Sequence, residues 1–329
     1  MPEEKADARA RAWMETVLAD SAGIDAIRRD GKAALAGALA LIEQSQDAAA
    51  TVALLAEAYA SPRAHVLGIT GPPGVGKSTL INGLIAAWRA RGCSVGVIAV
   101  DPSSRISRGA LLGDRIRMRA DPDDQGVFVR SLASRGALGG LSALAYPATV
   151  LMRAVYDRVI VETVGVGQSE ADIAALADTV MLCVQPGSGD SMQFMKAGIM
   201  EIPHIAAVTK ADSGPAAARA LAELKGALSL AAPRAGTWET RCLLVSAFQE
   251  ATVAMLLDHV EAHAAQATGS GEREAVRRAQ AESWLRAEVL QEFGARGAAL
   301  LGNALRLDAG ESPFAKRREL LARLRLTLD

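Results

Sequence analysis

Seven short, unbroken apolar runs rich in β-branched residues punctuate the middle of the chain, at 66–69, 95–100, 127–129, 159–161, 180–184, 205–208 and 243–245. Most are separated by stretches with helical spacing, such as Leu80, Leu84, Ile85 and Trp88. Strands apolar on both faces and alternating with helices predict an α/β fold with a mostly parallel sheet, covered on both sides. The two ends of the chain lack strand runs. From Arg9 to Tyr59 the apolar positions recur helically, in Trp13, Val17 and Leu18, then in Leu35, Leu39 and Ile42. Asp47 is placed to cap a third helix through Val52, Leu55 and Ala56, and Ser61-Pro62 closes the segment. Beyond His263, Ala267-Thr268-Gly269-Ser270-Gly271 reads as a linker. Helical stripes follow, in Leu285, Val289 and Phe293 and in Leu320, Leu321, Leu324 and Leu328. A short arm cannot bury such stripes alone, so it folds back or packs on another subunit. The expected division is a helical extension over 1–60, an α/β domain over 61–265 and a helical arm over 266–329.

In open parallel sheets ligands sit outside the carboxyl ends of the strands, so the residues just after each run carry the chemistry. After the first comes Gly71-Pro72-Pro73-Gly74-Val75-Gly76-Lys77-Ser78-Thr79, which fits Gly-x-x-x-x-Gly-Lys-Ser/Thr between a strand and a helix. The glycines let successive backbone N–H groups of Gly74, Val75, Gly76 and their neighbours through Thr79 turn towards phosphate oxygens at a helix N-terminus. Lys77 is expected to reach the β- and γ-phosphates, and the Ser78 hydroxyl to ligate Mg²⁺.

After the second run comes Asp101-Pro102-Ser103-Ser104, where the carboxylate can meet the metal or an attacking water, or simply cap a turn. Asp114 is a candidate for orienting water; its bland alternative is a surface ion pair with a nearby arginine. The fourth run leads into Glu162-Thr163-Val164-Gly165-Val166-Gly167-Gln168. A carboxylate there commonly holds Mg²⁺, and Gly165 leaves room for its N–H to meet a γ-phosphate, so the loop senses hydrolysis. After the sixth run comes Thr209-Lys210-Ala211-Asp212, and after the seventh Ser246-Ala247. An ionised Asp212 accepts the paired N1 and N2 donors of guanine, which adenine lacks. The Lys210 stem is expected to cover the base plane and the Ala247 N–H to meet O6, so the nucleotide is GTP or GDP.

Composition narrows the rest. Aromatics make up 4 % of 329 residues, so the core is built from Ala, Val, Leu and Ile. A net charge of −1 leaves no electrostatic footprint for nucleic acid. No apolar run approaches the ~18 residues of a membrane span, and Met1 to Arg11 lack an apolar signal region, so a cytoplasmic protein is expected. Cys93, Cys183 and Cys242 are far apart and read as buried reduced thiols. His259 and His263 share a helix face at i, i+4, but no third ligand lies near, which favours solvated or capping histidines over a metal pair.

With these motifs in place the chain resembles the MeaB/ArgK/MMAA family of phosphate-loop GTPases over nearly its whole length. The most specific marks are Glu162 to Gln168, Ser134-Arg135-Gly136-Ala137-Leu138-Gly139-Gly140, and Pro186-Gly187-Ser188-Gly189-Asp190-Ser191-Met192-Gln193 continuing to Lys196-Ala197-Gly198-Ile199-Met200-Glu201. One departure is Thr209, where the family usually carries Asn; a hydroxyl cannot reproduce an amide's donor–acceptor pair. The resemblance implies a GTPase chaperone of adenosylcobalamin-dependent methylmalonyl-CoA mutase that gates cofactor loading and protects or reactivates the mutase. It also implies that Gln185 to Lys196, with Asp190 between, is a third switch relaying nucleotide state, and that the C-terminal arm forms a homodimer. The expected chemistry is Mg²⁺-assisted attack of water on the γ-phosphate, with Lys77 stabilising charge and Ser78 holding the metal with Asp101 or Glu162. No arginine is assigned as a charge-stabilising finger, Arg115 and Arg135 being the candidates, so slow intrinsic turnover accelerated by the mutase is expected. The rivals are a nickel-delivery GTPase, a phosphate-loop kinase of small molecules or protein, and a nucleotide-dependent scaffold.

Overall fold

The computed structural model describes residues 23–101, 123–133, 144–163, 172–187, 202–229 and 238–328. Seven strands form one sheet: β1 (His65–Thr70), β2 (Val95–Asp101), β3 (Val127–Ala133), β4 (Arg158–Thr163), β5 (Thr179–Val184), β6 (Ile205–Val208) and β7 (Arg241–Leu244). Their order is β3-β2-β4-β1-β5-β6-β7, and every pairing is parallel. All seven apolar runs are therefore strands. β1 and β5 are buried at every position, which is why their sequences show no alternation. The chain builds the β2–β3 side first, returns through β4, then crosses β1 to β5. That reversal makes the carboxyl end of β1 the topological switch point.

The helices are α1 (Gly23–Gln44), α2 (Ala49–Ala60), α3 (Lys77–Ala90), α4 (Ala145–Val155), α5 (Pro215–Leu228), α6 (Glu250–Gly269), α7 (Glu272–Leu301) and α8 (Pro313–Leu328). Leu80, Ile81, Leu84 and Trp88 of α3 and Val253, Leu256, Leu257 and Val260 of α6 pack with Leu67, Ile69, Val97 and Ile205 in one core. A second core sets Ala217, Leu224 and Ala227 of α5 against Leu182, Val184, Ala206 and Val208. Gly68 sits mid-strand because a Cβ there would lie 2.7 Å from the Ala177 side chain. The expected linker is mostly helix: α6 runs through Gly269, and Gly271, at φ 75°, makes a tight turn into α7.

The chain forms two compact units, one comprising His65–Ala145 with Asp157–Arg273 and containing the sheet. The other gathers the chain up to Ala64, Tyr146–Tyr156 and Glu274 onward, so helices from both termini share it with α4. Within it, Ile24 N donates to Glu57 Oε1, Arg28 Nη2 to Ala154 O, and Arg277 Nη2 to Ala64 O. Tyr146, Trp284 and Phe314 form an aromatic cluster. Asp47 does not cap α2, whose N-cap is Ala48 without a side-chain bond; it pairs instead with Arg317, which also donates to Glu288. Leu285, Val289, Leu320, Leu321 and Leu324 are buried within this one chain, which is the fold-back alternative for those stripes. No helix among the described residues is long and apolar enough to cross a membrane. The three cysteines are unpaired, and only Cys183 is fully buried; Cys93 and Cys242 are half-buried.

Candidate functional site

The turn after β1 is shaped by three glycines with positive φ. At Gly71, φ is 143° and a Cβ would stand 2.3 Å from the Cys183 carbonyl of β5, so only glycine lets the chain leave the sheet there. Gly74 (φ 76°) and Gly76 (φ 99°) meet no obstruction, so there the demand comes from the backbone angle alone. Val75 is buried beneath the loop. α3 begins at Lys77 directly after the left-handed Gly76, leaving its first-turn N–H groups and positive dipole end facing the loop mouth. The Lys77 side chain, 5 % exposed, folds back so that Nζ donates to Gly71 O at 2.7 Å and Pro72 O at 3.1 Å. Burial pushes the Cys183 thiol below the loop up to about 12, so it stays protonated.

Glu162 and Thr163 belong to β4 itself rather than to the following turn. Glu162 pairs in register with Ile69 of β1 and Ala99 of β2, and the residue is 6 % exposed. Thr163 Oγ1 donates to Thr70 Oγ1 at 3.1 Å, tying the ends of β4 and β1 beside the loop. Asp101 is the last residue of β2, opposite Ala133 of β3. Its side chain lies outside the described residues, as do Asp114, Arg115, Arg135, Gly165, Asp190, Lys196 and the 134–140 motif.

The β6 and β7 ends converge on the same loop. The Thr209 hydroxyl is buried, 2.7 Å from Val75 O and 3.1 Å from Val184 O, so it fastens the loop to β5. Lys210 takes a left-handed conformation (φ 54°, ψ 42°), unusual for a residue with a Cβ. Its Nζ donates to Gly74 O at 2.9 Å and Gln185 Oε1 at 2.6 Å. Asp212 is exposed in the turn Ala211–Ser213, and Ser246 Oγ donates to its Oδ1 at 2.9 Å. Ser246 is in turn held by Thr252, whose hydroxyl accepts from Ser246 N and donates to Ser246 O. Lys77, Thr209, Lys210, Asp212 and Ser246 thus gather at one edge of the sheet. Sequence reading missed Thr252, whose Ser246 contacts nothing in the local pattern announces, and the direct Gln185–Lys210 bond.

His263 is neither solvated nor capping. At the opposite edge of the sheet its Nδ1 lies 2.6 Å from Thr179 Oγ1, which is 2.7 Å from His65 Nε2. Its ring lies against His204 at 4.1 Å and edge-on to Trp238 at 4.9 Å. His204 Nδ1 accepts from Val180 N at 2.9 Å, which fixes it as a neutral imidazole. Burial holds His204 down at about 4 and His263 at about 3, helped by the neighbouring imidazoles and opposed by Asp178. Among the described residues no group of three or more His, Cys, Asp or Glu is arranged to hold a metal ion.

The family model described as methylmalonyl Co-A mutase-associated GTPase MeaB matches residues 35–301. A Pyrococcus horikoshii protein named as a GTPase is 49 % identical over 191 residues, 57 % of this chain and 60 % of its own length. The Mus musculus methylmalonic aciduria type A homolog, named as mitochondrial, is 35 % identical over 239 residues, 70 % of this chain and 58 % of that protein. This chain therefore spans about three fifths of the length of these relatives. A crystal structure of an LAO/AO transport system kinase is similar over 94 % of this chain and 98 % of that one, with a TM-score of 0.64 and 26 % identity.

Proposed function

Because the chain belongs to the MeaB family of methylmalonyl-CoA mutase-associated GTPases, we propose that it binds and hydrolyses GTP and serves an adenosylcobalamin-dependent methylmalonyl-CoA mutase as a chaperone, gating cofactor loading and protecting or reactivating the mutase. One observation carries the nucleotide part. A glycine cradle and a carboxylate oriented by Ser246 share one sheet edge, and Lys210 joins them through Gly74 O. The cradle from Gly74 to Thr79 takes the phosphates on backbone N–H groups, and Lys77 moves from loop carbonyls to β- and γ-oxygens. Asp212 accepts from guanine N1 and N2, and its bond to Ser246 keeps it in the plane of the base. The Ala247 N–H meets O6. Thr209 acts through the loop rather than on the base, because its hydroxyl is engaged by Val75 O.

The oxygen donors Ser78 and Glu162, with Asp101, suit a hard cation, and we assign them to Mg²⁺. The ion supplies charge neutralisation on the phosphate oxygens when bound. Asp114 is assigned to orient the attacking water and Gly165 to contact the γ-phosphate. Gln185, Asp190 and Lys196 are assigned to the switch; Gln185 is already bonded to Lys210. A homodimer and a cytoplasmic location complete the proposal on the family resemblance. The test is single-turnover hydrolysis of GTP with and without methylmalonyl-CoA mutase. The expected result is slow release of free phosphate that rises when the mutase is present. Equal rates at saturating mutase would contradict the chaperone reading, and phosphate appearing on an acceptor would favour a kinase instead.

A further inference from the structure

We propose that the ring of Phe248 stacks on one face of the bound guanine while the aliphatic stem of Lys210 covers the other. This rests on the nucleotide reading above and adds to it a base-contacting residue.

Phe248 is 83 % exposed, an extreme position for a large apolar side chain. A single exposed apolar residue needs no explanation by itself; what surrounds this one gives it meaning. Gln249 N donates to Ser246 O at 3.1 Å, closing a turn with Ala247 and Phe248 at its tip. Phe248 N meets Ser246 Oγ at 3.4 Å, and that same Oγ donates to Asp212 Oδ1. Thr252, in the first turn of α6, grips Ser246 through both its N–H and its carbonyl. The turn carrying the ring is therefore pinned to the carboxylate assigned to the guanine edge, and its short path into α6 holds the ring out in solvent.

The opposing wall is equally fixed. Lys210 is the only non-glycine among the described residues with positive φ. Its ammonium is anchored on Gly74 O and Gln185 Oε1, so its stem spans from the Asp212 turn to the phosphate loop. A flat base hydrogen-bonded at its edge by Asp212 presents one face to that stem and leaves the other open. An aromatic ring tethered two residues beyond Ser246 fits that second face, and burying it there removes exposed apolar area from water.

Stacking is tolerant of base identity because every base has a π-face. Phe248 should therefore add affinity without adding selectivity, which remains with Asp212. The experiment is calorimetric titration of the full chain, its Phe248→Ala variant and its Phe248→Trp variant, with GDP and with inorganic pyrophosphate. Base–aromatic stacking of about 1–3 kcal/mol predicts that Phe248→Ala weakens GDP roughly 5- to 150-fold. Pyrophosphate, which has no base, should bind Phe248→Ala and the unsubstituted chain alike. Phe248→Trp should restore GDP affinity, and its indole fluorescence should be quenched on GDP addition beyond any change in the unsubstituted chain. Equal GDP affinity in Phe248→Ala and the unsubstituted chain would overturn the proposal while leaving the nucleotide site intact. Parallel weakening of GDP and pyrophosphate, unrescued by Trp, would also overturn it, because the turn would then be acting on the fold. Failure of the unsubstituted chain to bind either probe would bring down the nucleotide reading and this proposal together.

Discussion

The same strands end in opposite ways. β1 begins at His65 and leads into the glycine loop; β5 begins at Thr179 and ends beside Gln185; β6 begins beside His204 and ends beside Thr209. At the starting edge the polar side chains are buried and bonded mainly to one another, through His65, Thr179 and His263 and through His204 on Val180 N, with His65 Nδ1 3.7 Å from Asp178 Oδ2. At the finishing edge Lys77 and Lys210 are held by main-chain carbonyls of the glycine loop, and among the described residues Asp212 is bonded through Oδ1 alone. Partners at the first edge are permanent, and replacing them costs stability. Partners at the second are exchangeable, which is what a site that binds and releases an anion needs.

That contrast breaks most sharply at Lys77. Lys77→Ala should lower single-turnover GTP hydrolysis by about 10²–10³-fold or more, the cost of removing one donor aimed at developing charge. Because its bond to Gly71 O is buried, the folded fraction is checked by thermal unfolding alongside the hydrolysis rate. Hydrolysis at the unsubstituted rate would show that the ammonium has no role at the phosphates.

At the opposite edge the expected effect is on stability and depends on pH. His204 and His263 have folded-state values near 4 and 3, below the ordinary 6.5 of the unfolded chain. Below about pH 6.5 the unfolded chain therefore binds more protons, so stability is full above that pH and is lost as pH falls. The groups facing the pair are His65, Thr179, Asp178 and Trp238, and Asp178 softens the effect without reversing it. Urea midpoints measured from pH 7.5 to about pH 5, where carboxylates stay ionised, should fall steadily. His263→Gln should flatten that slope whatever it does to the midpoint at pH 7.5. A midpoint independent of pH over this window would contradict the neutral buried cluster.

The smallest effect is expected at Thr209, a finishing-edge residue whose hydroxyl is buried as the starting-edge groups are. Thr209→Val keeps the shape but leaves Val75 O and Val184 O without the hydroxyl, a loss of about 1–3 kcal/mol. Thermal unfolding should shift down by a few degrees while GDP affinity changes less than tenfold. A large, selective loss of GDP binding would place Thr209 on the base after all.

What could be read in advance follows the range of the interactions. The seven strands were legible because a doubly covered strand writes its burial as a continuous apolar run, and the phosphate loop because its glycines, Lys77 and α3 are neighbours in sequence. The stretch from Thr209 to Asp212, to which the proposal assigns the base, is likewise a run of sequence neighbours. By contrast, the partner of Thr209 lies at Val75, and the histidine cluster joins positions 65, 204 and 263 from two strand starts and a helix. Nothing periodic links them. The helical unit was missed similarly: α4 lies inside the α/β stretch by sequence yet groups with helices from both termini, through bonds such as Arg28 to Ala154 O. Asp47 had the local look of a cap, and an arginine 270 residues away claimed it.

The central claim is that Asp212, steadied by Ser246 beside a phosphate cradle, selects guanine. Equilibrium titration of Asp212→Asn with GTP and with XTP tests it most directly. An amide reverses the donor–acceptor match, so the account predicts that preference moves from GTP to XTP while the phosphate cradle continues to bind. An unchanged preference for GTP would contradict it.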